Sequence, residues 1–205
     1  MRGKFITLEG GEGVGKSTQV HALAEALRER GIDVVVTREP GGSEGAERIR
    51  GLLLDTEEKW ESRAEALLFA AARADHLDKL IRPALERGSW VLCDRFVDSS
   101  LAYQGGAGGL GIETVREINA FAIDGWYPDR TLILVLGEGS ERARTRDGGS
   151  GDRIGGRSDD YHRKVDAAFE ILAAEEPERI QLVDASGSPE RVTARLIDEL
   201  KDLLP

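Results

Sequence analysis

Cysteine is almost missing from this chain. Cys93 stands alone among 205 residues, so no intramolecular disulfide can form, and a reducing, cytoplasmic setting is expected. It ends an apolar run, which reads as a small core residue rather than a nucleophile. Histidine is scarce as well. His21, His76 and His162 lie far apart, show no metal-ligand spacing and are read as surface or helix positions. No Ser/His/Asp or Cys/His arrangement is evident. Aromatic residues make up 5%, and Trp60, Trp90 and Trp126 form no series on which the bases of a polymer would stack. Positive charge is in deficit: 28 Lys and Arg face 38 Asp and Glu, and the net charge of −10 disfavours a non-specific nucleic-acid binder. No apolar run approaches the roughly 18 residues that span a bilayer, so neither a signal peptide nor a membrane anchor is expected. Internal repeats and interdomain linkers are also lacking, which predicts one domain over residues 1–205.

What is present begins at Lys4. Phe5, Ile6 and Leu8 form an apolar run, and Gly10 to Ser17 then fits G-x-x-x-x-G-K-[ST], the phosphate-binding P-loop. Gly10, Gly11, Gly13 and Gly15 leave room for backbone N–H groups to face an anion, with Glu12 and Val14 between them. Lys16 supplies a point charge, Ser17 a hydroxyl suited to Mg²⁺, and Thr18 continues into a helix whose N-terminus points its partial positive charge at the loop.

Strands and helices alternate from there on. A first helix over Lys16 to Arg30 buries Val20, Leu23, Ala24 and Leu27 at i, i+3, i+4, i+7. Val34-Val35-Val36, Trp90 to Cys93, Leu132 to Val135 and Ile180 to Val183 read as buried strands. Ser43 is placed to cap a helix through Leu54. A long helix covers Ser62 to Ile81, with Ala64, Leu67, Leu68 and Ala71 as one apolar stripe that Leu77, Leu80 and Ile81 continue, and Pro83 breaking or kinking it. A short helix is expected over Asp98 to Gln104, while Gly105 to Gly109 is too glycine-rich for regular structure. A helix over Ile112 to Asp124 turns Val115, Ile118, Phe121 and Ala122 inward, and two more carry Val165, Ala168, Phe169 and Leu172, then Val192, Leu196, Leu200 and Leu203. This order predicts an α/β, P-loop NTPase-type fold: a five-stranded parallel sheet with helices on both faces. Ligands in such sheets gather at the carboxyl ends of the strands. The P-loop, Arg38-Glu39, Asp94-Arg95 and an Arg/Gly-rich segment all fall there.

A P-loop alone says that a nucleoside triphosphate binds. No Asn-Lys-x-Asp reads guanine, which argues against a GTPase, and no strand ends in the Asp-Glu pair of motor ATPases. Asp94 at a strand end can hold Mg²⁺ through water, and Arg95 can clamp a phosphate; a plain surface ion pair is the alternative. Arg142, Arg144, Arg146, Arg153 and Arg157 are interleaved with glycines between residues 142 and 157. They make either a solvated loop or a lid whose guanidinium groups close on the transferring phosphoryl group. Arg153 is carried as the catalytic candidate of the five, although spacing does not choose among them. Phe69 and Arg73, i and i+4 on another face of the long helix, are either core or a base site, the ring stacking while the guanidinium donates to a ring carbonyl.

Four blocks together resemble the thymidylate kinases of the bacterial type: Glu9 to Thr18; Thr37-Arg38-Glu39-Pro40-Gly41-Gly42; Phe69-Ala70-Ala71-Ala72-Arg73-Ala74-Asp75-His76; and Asp94-Arg95-Phe96-Val97-Asp98-Ser99-Ser100-Leu101-Ala102-Tyr103-Gln104-Gly105. The resemblance runs over essentially the whole chain. It implies transfer of the γ-phosphoryl group of ATP to dTMP with Mg²⁺, giving dTDP for DNA precursor synthesis, in a homodimer. By the same resemblance, Lys16 and the Gly10–Ser17 backbone hold the ATP phosphates and Glu12 contacts the acceptor sugar. Arg38 and Arg95 bind the acceptor phosphate. Phe69 and Arg73 hold thymine, Tyr103 crowds the 2′ position, and Ser100 and Gln104 line the base pocket. The P-loop carries no arginine, and by the resemblance lid arginines supply that charge. Two features depart from the family pattern: the glycine run after Gln104 carries no arginine, and Val135-Leu136-Gly137-Glu138 replaces the usual Asp-Val-Pro. A related monophosphate kinase of other specificity and a non-catalytic nucleotide-binding module are the competing readings.

Overall fold

The computed structural model describes residues 2–55, 57, 60–136 and 157–205. The glycine-rich Arg142–Arg153 portion of the expected lid, and the Gly137-Glu138 strand ending, lie outside the described residues. Five strands, β1 (Phe5–Gly10), β2 (Val34–Arg38), β3 (Trp90–Asp94), β4 (Arg130–Val135) and β5 (Ile180–Asp184), form one all-parallel sheet in the order β2-β3-β1-β4-β5. The P-loop strand is therefore central. Side chains alternate across it as a pleated strand requires. Phe5 joins Val91, Cys93 and Ile133 in one apolar layer, and Ile6 and Leu8 join Leu92, Leu132 and Leu134 in the other.

Helix α1 (Lys16–Arg28) and the last helix, α8 (Pro189–Asp198), cover the second layer, burying the predicted Val20, Leu23, Ala24 and Leu27 together with Val192, Leu196 and Leu200. The first layer is covered from the other side. There, α3 (Ser62–His76) runs through a π-helical turn at Leu77–Ile81 into α4 (Arg82–Glu86); α5 (Val97–Ser100) runs into a second one at Leu101–Ala107; α6 (Ile112–Ile123) and α7 (Asp159–Glu175) complete the set. Helix α2 (Glu44–Leu54) packs on α3 and is capped by Ser43, whose hydroxyl accepts from Ala46 N–H.

Several expectations are corrected here. Of the two outcomes expected at Pro83, a break and a kink, the helix does not break: it passes through a wide turn that bonds Arg82 N–H to Leu77 O, and the proline sits in the first turn of α4, where its missing N–H costs nothing. Gly105 and Gly106 belong to the second π-helical segment, because the helix runs too close to its neighbours for side chains. A Cβ on Gly106 would lie 2.7 Å from that of Ala168 in α7, and one on Gly105 would lie 3.0 Å from Ile112 Cα. Helix α3 is rotated from the expected stripe: Leu67 is 58% exposed and Ala71 is exposed, Ala64 and Leu68 are half-buried, and the buried face carries Ala66, Phe69, Ala70 and Ala72 together with Glu65, Arg73 and His76. Phe121 on α6, expected inward, is 94% exposed. His76 is a helix position as expected but lies in the interior, with no exposed surface.

Candidate active site

Strand register brings the site together. Arg38 pairs with Asp94, and Asp94 with Leu8, so the ends of β2, β3 and β1 deliver Arg38, Asp94-Arg95 and the P-loop to one edge of the sheet. The loop needs glycine at two points above all. Gly15 enters α1 at φ 89, and a Cβ on Gly10 (φ 131) would strike the Leu134 carbonyl at 2.5 Å. Lys16 folds back over the loop, its Nζ donating to the carbonyls of Gly10 (3.1 Å) and Gly11 (2.5 Å). Burial, with the Arg95 cation adding, pulls this ammonium down from its ordinary 10.5 to about 8. The Ser17 hydroxyl donates to Asp94 at 2.8 Å.

Opposite the loop lies a cavity of about 450 Å³. Glu12, Gly13, Gly15, Lys16, Ser17 and Thr18 line one wall; Arg38, Phe69, Arg73, Arg95, Ser100, Tyr103 and Gln104 line the other. Gly10, Gly11 and Val14 border a separate small hollow toward Ile133 and Leu136. Arg95 is held in a left-handed conformation (φ 69) that a non-glycine residue adopts at a cost, and its fork explains why. Nη2 donates to Glu12 at 2.6 Å, Nη1 donates to Gly10 O and to Ser99 Oγ, and the guanidinium stacks 4.9 Å from the Tyr103 ring centre. The Tyr103 hydroxyl reaches Glu12 as well, at 3.2 Å. Glu12, Arg95 and Tyr103 thus form one cluster at the point where loop and cavity meet. Arg38 bridges both oxygens of Glu47, at 3.0 and 3.1 Å, and stays half-exposed.

Arg73 is the most enclosed of the predicted base-site residues, at 1% exposure. Its Nε donates to Glu39 at 2.8 Å, Nη1 to Asn119 Oδ1, and Nη2 to Phe96 O and Ser100 Oγ, both at 3.0 Å. Of five N–H groups these bonds engage four, which leaves a single hydrogen for a ligand. Arg73, expected as either a core residue or a donor to a base, is buried and clamped by its neighbours. Arg157 is displaced further from expectation. It lies beside the base end of the site, with Nη2 on Glu65 at 2.7 Å and its cation over the Tyr161 ring, not above the phosphate loop.

Residues that spacing did not single out complete the site. Glu9, fully buried, accepts from Phe96 N–H (2.7 Å) and from Ser99 Oγ (2.5 Å), which holds the strand-to-helix turn carrying Arg95. Burial, with the nearby Asp98 charge adding, pushes the Glu9 carboxyl up to about 7. Asn119 on α6 donates through Nδ2 to Val115 O, so its oxygen faces Arg73. Glu39 lines the same cavity, and Glu65 lies behind its wall, bonded to Gln104. In the sequence Glu39 is marked only as part of the strand-end pair Arg38-Glu39, and Glu65 only as a charged residue near Phe69 and Arg73, which periodicity assigns to solvent.

A P-loop at the centre of a parallel sheet, facing a base-sized cavity lined by arginines and aromatic rings, defines a nucleotide kinase. The thymidylate kinase family model matches residues 8–196. Among curated relatives, a thymidylate kinase of Rhizorhabdus wittichii is 58% identical over the full length of both chains. One of Bacillus pumilus is 45% identical, covering 100% of this chain and 98% of its own. The crystal structure of thymidylate kinase from Ehrlichia chaffeensis superposes with a TM-score of 0.80 at 34% identity, covering 98% of this chain and 99% of that one. The chain belongs to the thymidylate kinase family, whose members phosphorylate dTMP to dTDP with ATP.

Proposed function

We propose that this chain, acting as one kinase domain, binds ATP along the Gly10–Thr18 loop and dTMP in the facing cavity. It moves the γ-phosphoryl group between them. The observation that carries this reading is the shared wall: Glu12, a P-loop residue, holds Arg95 and Tyr103, which belong to the acceptor side. Donor and acceptor therefore meet at one cluster. Two highly charged phosphates must approach each other there, and fixed cations in a dry site offset the repulsion. In this assignment Lys16 lies along the ATP phosphates, releasing the loop carbonyls that it holds in the free protein. Arg95 and Arg38 take the acceptor phosphate. Phe69 stacks on the base and Arg73 donates its remaining hydrogen to a ring carbonyl. Tyr103 and Glu12 pack against the sugar, and Ser100 and Gln104 close the base end. Arg153 with Arg142, Arg144 and Arg146 is assigned to cover the transferring group.

Mg²⁺ fits the donor set. Ser17 Oγ and Asp94 Oδ2 are hard oxygen ligands 2.8 Å apart at the mouth of the loop. When held by Ser17 and Asp94, it would offset the negative charge of the phosphates. A second copy of the chain is proposed to cover Leu67 and Phe121, the exposed apolar side chains of the neighbouring helices α3 and α6. A cytoplasmic location fits the lone, buried Cys93, and no helix among the described residues is long and apolar enough to cross a membrane.

A coupled assay of ADP release tests the assignment. With ATP, Mg²⁺ and dTMP, turnover is expected to exceed that with dCMP or AMP by orders of magnitude. Turnover of dCMP or AMP with none of dTMP would refute it, and ADP release independent of any acceptor would favour a simple ATPase.

A further inference from the structure

Gln104 lines the acceptor cavity, yet it is only 3% exposed. A side-chain amide has two chemically opposite ends, a carbonyl that accepts and an NH₂ that donates. At a cavity wall, which end faces the ligand decides what the wall can read. Here Glu65 decides it. Its carboxylate, buried on α3, accepts from Gln104 Nε2 at 2.9 Å. A carboxylate offers acceptors and no donor, so the NH₂ end must point to Glu65. The carbonyl oxygen is left for the ligand, and among the described residues no group of the chain donates to it. Arg157 locks Glu65 in turn, with Nη2 at 3.0 and 2.7 Å from the two carboxylate oxygens, and it is tied through Tyr161 to the Tyr103 carbonyl. Buried charge is thereby paired, and the carboxylate has no room to rotate.

Pyrimidines differ on the edge such a wall would meet. Thymine and uracil carry a hydrogen on N3 and an accepting oxygen on C4. Cytosine carries a lone pair on N3 and a donating amino group on C4. An acceptor held against N3 bonds the first pair and repels the second. We propose that Glu65 is a specificity-determining positioning residue: by locking the Gln104 amide with its oxygen toward the cavity, it makes the pocket accept N3–H and exclude cytosine. The inference rests on Gln104 facing the acceptor base, as assigned above.

The test is competition between dTMP and dCMP, and between dTMP and dUMP, for wild-type enzyme and for Glu65→Gln. The new amide can accept from Gln104 or donate to it, so either orientation of Gln104 becomes available. The ratio of kcat/KM for dTMP over dCMP is expected to fall about tenfold or more, mainly through a raised KM for dTMP. The dTMP to dUMP ratio is expected to hold, because both rings present the same N3 and C4 groups. Competition ratios count only folded enzyme, so a loss of stability does not obscure them. Glu65→Asp keeps the charge beside Arg157 but shortens the reach to Gln104, and is expected to shift the same ratio. An unchanged dTMP to dCMP ratio in both variants would overturn the proposal, as would equal falls in both ratios, which mean a loosened pocket. Gln104→Met separates the premise from the inference. If it lowers the dTMP to dCMP ratio and the Glu65 variants do not, Glu65 has no such role; if it too leaves the ratio unchanged, Gln104 does not face the base.

Discussion

Glu39 is the residue whose replacement tests the physical account of the base site most sharply. It is 6% exposed, and its two oxygens serve two donors: Arg73 Nε at 2.8 Å and His76 Nδ1 at 3.1 Å. A carboxylate cannot donate, so Nδ1 carries the hydrogen, and in the neutral ring Nε2 accepts from the Thr37 hydroxyl 2.8 Å away. Glu39→Gln keeps the shape of this arrangement. The amide oxygen still accepts from Arg73. The NH₂ now faces His76 Nδ1, which must give up its hydrogen, so the ring changes tautomer and Nε2–H donates to Thr37. Every hydrogen bond is retained while the negative charge is lost. Arg73 is left buried among neutral groups: Asn119, Ser100, the Phe96 carbonyl and the Phe96 ring 5.3 Å away. Removing one partner of a buried ion pair costs about 3–5 kcal/mol. With the hydrogen bonds kept and a ring face beside the cation, the lower end, about 3 kcal/mol, is expected. Glu39→Leu breaks both bonds as well and should cost about 1–3 kcal/mol more.

Urea unfolding followed by circular dichroism measures both losses, and the ¹⁵N shifts of His76 report the tautomer. In the Gln variant the protonated nitrogen should move from Nδ1 to Nε2. Because Arg73 lines the cavity, KM for dTMP should rise while KM for ATP holds. A Gln variant within about 1 kcal/mol of wild type would show that the charge is not needed to hold Arg73. One as damaged as the Leu variant would show that charge, not hydrogen bonding, carries the stability.

Glu9 links stability to pH. Its carboxyl titrates at about 7 in the folded protein against an ordinary 4.5, because burial and the Asp98 charge disfavour its ionised form. Below pH 4.5 it is protonated folded or unfolded; between 4.5 and 7 the unfolded chain releases the proton first, so the stability from this group is lost as pH rises through that window. Glu9→Gln should flatten that part of the urea-midpoint profile, and an unchanged profile would assign the slope to other groups. Gly106→Ala puts a Cβ 2.7 Å from that of Ala168 and should cost about 1–3 kcal/mol, with Ala168→Gly restoring part of it in the double variant. Additive losses would mean that the two helices do not meet there. Phe121→Asp should leave the melting temperature of dilute protein nearly unchanged but weaken self-association in sedimentation equilibrium. Unaltered association would remove Phe121 from the proposed contact.

The sheet was legible because its strands obey the rule that periodicity assumes. Val34 to Val36, Trp90 to Cys93 and Leu132 to Val135 lie inside the strands found, since a strand covered on both faces has nothing polar to hide. The P-loop was legible for a related reason: loop, lysine and hydroxyl are consecutive, and local spacing specifies their geometry. Helix α3 was not legible, and the error has a single cause. Periodicity turns its apolar stripe, Ala64, Leu67, Leu68 and Ala71, inward because apolar residues are usually the ones that leave water. The face that does turn inward carries Glu65, Arg73 and His76 beside Ala66, Phe69, Ala70 and Ala72, and the partners of the three polar residues include Gln104, Arg157, Glu39, Asn119 and Thr37, contributed by four other segments. No window of sequence contains such a set. Each buried charge is tolerable only because the others are present, so its burial cannot be inferred from its own neighbours. The same inversion leaves Leu67 and Phe121 outside, where a second copy is proposed to cover them. Hydrophobic periodicity therefore fails on the helix that lines the proposed base site, since a wall that must read a polar edge has to be polar itself. Where an amphipathic helix beside a P-loop carries a carboxylate, an arginine and a histidine on its less apolar face, that face is the better candidate for the interior.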